Sequence, residues 1–138
     1  GWNENRVGGF IGVKGTHSSY DLYYSILEGV LFSLRQCYDI LVEVGGCPDE
    51  VLVSGGIANS PAWLQMVADV FQREIKVTAV SNQSTIGGAL VALEAVGGEE
   101  RVQFYRPEVI QSLEPKAEMA ELYQSRYERY LDLYSLLG

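Results

Sequence analysis

The stretch Val51-Leu52-Val53-Ser54-Gly55-Gly56-Ile57-Ala58-Asn59-Ser60-Pro61-Ala62-Trp63 restricts the fold more than any other part of the chain. Val51 to Val53 is a short apolar run of strand character, and Gly55-Gly56 breaks it. Ser60-Pro61 then opens a helix, with Ser as N-cap and Pro at the first helical position, where its missing N–H costs nothing. Trp63, Leu64, Val67, Val70 and Phe71 supply that helix with an apolar face. Residues 75–80 alternate, with Ile75, Val77 and Ala79 against Lys76 and Thr78, which predicts a half-buried strand. Ser84 caps a further helix rich in small residues (Gly87, Gly88, Ala89, Ala92, Ala95), and Gly97-Gly98 stops it. This β-α-β-α order predicts an α/β fold with helices packed on a short sheet.

A long helix precedes this run. Thr16, Ser18 and Ser19 offer N-cap oxygens, and Asp21 falls in the first turn, where a negative charge suits the helix dipole. Tyr23, Ile26, Leu27, Val30, Leu34, Cys37, Tyr38 and Leu41 recur at helical spacing, and Gly45-Gly46 ends the helix. Gly29 inside it costs about 1 kcal/mol against Ala, so close approach of another backbone or a ligand is expected there. Upstream, Val7 to Val13 is expected to hold a short extended segment. Downstream of Pro107 and Pro115, a final amphipathic helix is expected. Its Tyr123, Tyr127, Tyr130 and Tyr134 share one face and are expected to pack on the rest of the domain.

Composition narrows the function classes. Ten Lys and Arg stand against eighteen Asp and Glu, a net charge of −8, so nucleic acid is not the expected partner. No apolar run approaches the roughly 18 residues of a membrane span, and no signal-peptide pattern opens the chain. Cys37 and Cys47 make neither a disulfide framework nor a zinc set, so a reduced, cytoplasmic setting is expected and no metal ligands are assigned. With 138 residues, one domain is expected over 1–138. The first residue is Gly rather than Met, so the chain is expected to be a piece of a longer protein or a processed one.

Chemistry could sit where the strand meets the glycine pair. Glycines let a ligand approach the main chain, and a helix N-terminus presents N–H groups and partial positive charge. The bland alternative is a tight connection. No Gly-Lys-Ser/Thr follows, so this is not a Walker loop, and Gly-x-Gly-x-x-Gly is absent. The cluster Ser84 to Leu90 reads either as a tightly packed helix start or as a second wall of the same cleft. His17, the only histidine, lacks a visible catalytic partner and reads first as a cap. Glu28 is a second polar candidate, with a paired or solvated helix-face residue as its plain reading.

Five segments in order resemble the C-terminal part of the FGGY carbohydrate kinases, the family of gluconate, xylulose and glycerol kinases. They are Arg6 to Val13 with His17, Leu27-Glu28-Gly29-Val30, Gly55 to Trp63, Ala68-Asp69-Val70-Phe71 and Gly87-Gly88-Ala89. They spread over roughly residues 1–96, and within the family the pattern looks closest to gluconate kinases. Ile57 stands where the family's third loop glycine would be, Gly88 replaces a usual alanine, and Gln83 stands where an acid is common.

The resemblance implies part of an actin-like (ribonuclease H-like) ATPase domain. The chain would be the later part of a sugar kinase's C-terminal nucleotide-binding domain. ATP and Mg²⁺ are the implied cofactors of the complete enzyme. Gly55, Gly56, Ile57, Ser60, Gly87 and Gly29 are the implied nucleotide-binding residues. The sugar or sugar acid, gluconate among the candidates, would be contacted mainly by an N-terminal domain. No acid here matches the family's catalytic aspartate, so the chain alone is expected to be inactive. The alternative is a non-enzymatic α/β interaction module that forms a homo-oligomer, a homodimer in the simplest case.

Overall fold

A computed structural model describes residues 8–79, 85, 88–89, 91–92, 95–96 and 107–137. Helix α1 spans Ser19–Gly45. Ser18 caps it in a reciprocal capping box: its hydroxyl accepts from the Asp21 N–H at 3.3 Å, and the Asp21 carboxylate accepts from the Ser18 N–H at 2.7 Å. These bonds hold the Asp21 carboxyl below its usual range. Gly46, at φ +82°, closes the other end by donating to the Val42 carbonyl at 2.9 Å.

Strand β1 is Leu52–Val53, helix α2 is Pro61–Phe71, and strand β2 is Ile75–Thr78. β1 and β2 pair in parallel, as a strand-helix-strand unit requires. Among the described residues the tail adds an element that sequence periodicity does not announce. Strand β3, Val109–Leu113, pairs antiparallel with β2, giving the order β1-β2-β3. Helix α3, Ala120–Leu137, follows.

The core sits where α2 meets its neighbours. Leu64, Met66, Val67, Ala68 and Val70 of α2 are buried with Leu31 and Phe32 of α1, Ile75 and Val77 of β2, and Tyr123 and Tyr127 of α3. The tyrosine face of α3 packs as its spacing predicts. Phe32 lies 5.9 Å from Tyr127 and 5.7 Å from Tyr130, ring centre to ring centre, while Tyr134 reaches solvent. Polar ties reinforce the packing. Tyr127 donates to Asp39 at 2.7 Å, and Arg35 donates to the Val70 carbonyl at 2.9 Å. The buried Asp69 accepts from the Lys116 N–H at 2.7 Å and from Gln65 at 3.0 Å, which pins the tail to α2.

Three expectations are corrected. Residues 8–13 form no strand; their glycines and the Gly12 φ of +77° favour an irregular path. The apolar face read from α1 is largely not the buried one. Tyr23, Ile26, Val30, Leu34 and Leu41 are 45–69% exposed, whereas Glu28, Leu31 and Phe32 turn inward. At Gly29 a Cβ would meet no atom within 4 Å, so no backbone packs against it among the described residues. Val7, Val80, Ser84, Gly87 and Gly97-Gly98 lie outside the described residues.

Candidate functional site

The glycine turn stands at the carboxyl end of β1, the end at which open parallel sheets receive ligands. Gly55 has φ +82° and ψ −157°, a conformation that side chains other than glycine's rarely permit, and a Cβ there would meet nothing within 4 Å. The space over the main chain at Gly55 and Gly56 is therefore open. Residues Gly56–Asn59 coil into a short 3-10 turn, with the Ala58 N–H donating to the Gly55 carbonyl at 3.0 Å. Ser60 then caps α2, its hydroxyl accepting from the Trp63 N–H at 3.4 Å. The Ser60 and Leu64 N–H groups are taken by the Ile57 and Ser60 carbonyls, and Pro61 has none. The start of α2 is thus mostly satisfied by the chain itself. It suits the uncharged, nucleoside end of a ligand better than a phosphate, which needs several free donors.

The other candidates fall in separate places. Ile57 packs against the core and, with Ser54, lines an apolar groove of about 460 Å³ between α1 and β1. Gly29 and Glu28 line a larger cleft of about 990 Å³ between residues 8–13, α1 and α3. There Glu28 forms an ion pair with Arg126 of α3, a partner 98 residues away that local sequence pattern does not reveal. His17 also borders this cleft, but its Nδ1 accepts from the Lys14 N–H at 3.2 Å, the turn-capping role read first for it. Gly55, Gly56 and Ser60 therefore stand together, while Gly29 lies with a different concavity. Among the described residues, no group of three or more His, Cys, Asp or Glu is placed to hold a metal ion. No helix among them is long and apolar enough to cross a membrane.

Comparison with known proteins fits this geometry. The family model for the C-terminal domain of the FGGY carbohydrate kinases matches residues 1–96. A probable L-xylulose kinase of Pasteurella multocida is 30% identical over 128 residues, 93% of this chain and 26% of that protein. A gluconokinase of Bacillus licheniformis is 32% identical over 97 residues, 70% of this chain and 19% of that protein. The crystal structure of a Rhodospirillum rubrum xylulose kinase superposes with a TM-score of 0.76 at 28% identity, covering 94% of this chain and 27% of that one. The chain thus spans about a quarter or less of the length of these relatives. The structural neighbours are sugar kinases of the actin-like ATPase fold. The strand, glycine turn and capped helix belong to that fold, and the chain is a member of the FGGY family of carbohydrate kinases, matching its C-terminal domain.

Proposed function

We propose that this chain supplies the adenine-nucleotide-binding part of an ATP-dependent carbohydrate kinase, acting on a sugar or sugar acid of the xylulose or gluconate kind. The observation that carries the reading is the bare main chain at Gly55-Gly56, open above the carboxyl end of a parallel strand and followed at once by the start of α2. A purine and its ribose can approach bare main chain closely where glycine leaves no Cβ, and need only a few placed donors and acceptors. Gly55, Gly56 and Ser60 supply that surface, with Ile57 as the apolar residue anchoring the turn to the core. Gly87 is proposed as a further nucleotide contact from the family resemblance; Gly29, which the resemblance also implies, lines the separate cleft beside Glu28 and is not proposed for this nucleotide site.

In the complete enzyme, phosphoryl transfer rests on positioning and on neutralising charge at the γ-phosphate. Mg²⁺ supplies part of that neutralisation when bound. This chain's share is to hold the nucleoside end in place, while the general base and the sugar contacts come from other parts of the kinase. The test is an ADP titration of isotope-labelled protein followed by NMR. Amide signals of Gly55 to Ser60 should shift at millimolar ADP, and Gly55→Val should abolish the shift while the fold survives. Unmoved signals in well-folded protein would refute the reading.

A further inference from the structure

The cleft of about 990 Å³ between residues 8–13, α1 and α3 has no part in the nucleotide reading, and three polar groups on its floor are left open. Glu28 is 9% exposed, and Arg126 takes one of its carboxylate oxygens, Oε1. The other, Oε2, accepts from no donor among the described residues. Arg126 spends Nη1 on that bond, and its remaining N–H groups meet no acceptor there. Tyr123 stands three residues before Arg126 on the same face of α3. It is 2% exposed, with its ring in the core, and it makes no hydrogen bond among the described residues. Its hydroxyl feels the charges of Glu28 and Arg126, and burial keeps it protonated at neutral pH. Buried polar groups are nearly always paired. An acceptor, a set of donors and a hydroxyl left open side by side therefore point to a ligand.

The walls narrow its chemistry. Phe10, Ile26 and Leu122 are 41–52% exposed around the cleft, with Leu22 and Met119 beside them. Gly29 of α1 lines it as well. Glycine is costly inside a helix, yet a Cβ there would meet nothing within 4 Å, so the chain itself makes no use of the space. An apolar body can lie on these side chains and come close to the α1 main chain. The polar end must meet groups of opposite kind. A carboxylate accepts from Arg126 and from the Tyr123 hydroxyl, and a neighbouring hydroxyl donates to Glu28 Oε2. A phosphate dianion would be repelled by the Glu28 carboxylate, and an amine would compete with Arg126 for it. The chain's net charge of −8 also favours a single ligand charge.

We infer that this cleft binds an amphipathic hydroxy acid: a monocarboxylate with a hydroxyl on the adjacent carbon and an apolar body. The site stands apart from the Gly55 turn, and the inference does not rest on the nucleotide reading.

The test is a titration of the isotope-labelled 138-residue chain with 3-phenyllactate, followed by NMR. Amides of residues 8–13 and 25–29 should shift saturably at millimolar ligand, while those of Gly55 to Ser60, which report on ADP, stay unmoved. Three analogues each remove one feature. Lactate, without the ring, and 3-phenylpropane-1,2-diol, without the carboxylate, should bind at least about tenfold more weakly; 3-phenylpropanoate, without the hydroxyl, should lose about fivefold. Arg126→Gln should weaken 3-phenyllactate about tenfold and Tyr123→Phe about fivefold. Gly29→Leu puts a side chain into the open space. It should abolish binding while the melting temperature stays at or above the parent's, so it carries the test if Arg126→Gln fails to fold. The inference is overturned by the absence of saturable shifts, including a cleft closed by a second copy of the chain. Equal affinity for all four compounds overturns it too, as does undiminished binding in Gly29→Leu. Binding here with no ADP response at Gly55 to Ser60 would leave this site standing and sink the nucleotide reading alone.

Discussion

Asp69 shows how one side chain joins distant parts of the chain. It is buried to 4% exposure and accepts from the Lys116 main chain and from Gln65. Replacing it with Ala leaves a main-chain N–H without its partner, at a cost of about 1–3 kcal/mol. Urea unfolding of Asp69→Ala should show that loss. Gly55 is the second decisive position. Its backbone geometry costs about 1–3 kcal/mol for any other residue, so Gly55→Val should lower the melting temperature as well as obstruct the turn. The tyrosines of α3 set the alkaline limit. Burial pushes the Tyr123 hydroxyl up to about 12, and burial together with the bond to Asp39 raises Tyr127 as well. An unfolded tyrosine ionises near 10, so the unfolded chain releases protons first. Their contribution to stability is complete below about pH 10 and is lost as pH climbs through the raised folded values. Denaturation midpoints between pH 8 and 11.5 should fall above pH 10, and less steeply in Tyr127→Phe.

Among the elements, α2 was the most legible and β3 the least. Ser60-Pro61 sets the start of α2 by local chemistry alone: a hydroxyl that caps and a ring that needs no donor. Ser60→Ala should cost about 1 kcal/mol, read by thermal melting. The start of α1 was legible to within three candidate caps, Thr16, Ser18 and Ser19, with Asp21 in the first turn; the structure selects Ser18. β3 was not, because Val-Ile-Gln-Ser-Leu is short and mostly solvent-facing; it is a strand because β2 offers it an edge. α3 was legible in its tyrosine spacing, but its importance is tertiary. Its two buried tyrosines close the core over Leu31 and Phe32. A chain ending at Met119 should lose cooperative unfolding, measured by calorimetry, whereas Leu136→Ser near the helix end, at an 80% exposed position, should not.

Taken whole, the described residues have a firm centre and one side that shows apolar residues outward. α2, β2 and α3 enclose a core, while α1 shows apolar residues outward along most of its length. The free 138-residue chain, given ATP with xylulose or gluconate, should form no sugar phosphate, as measured by coupled ADP release. By the family resemblance, its acids are not expected to include the family's base, and positioning is most of what phosphoryl transfer requires.

Residue types and spacing alone dictated the strand-turn-helix unit, both helix caps, the tyrosine face and membership of the kinase family, because each depends on interactions within a few residues or on an ordered set of short motifs. Folding in three dimensions decided which face of α1 turns inward, that Glu28 meets Arg126, and that the tail returns as a strand. Helical periodicity marks where apolar residues lie on α1; only neighbouring elements select the stripe that is buried. Here α2 and α3 took Leu31 and Phe32, leaving the longer stripe exposed among the described residues.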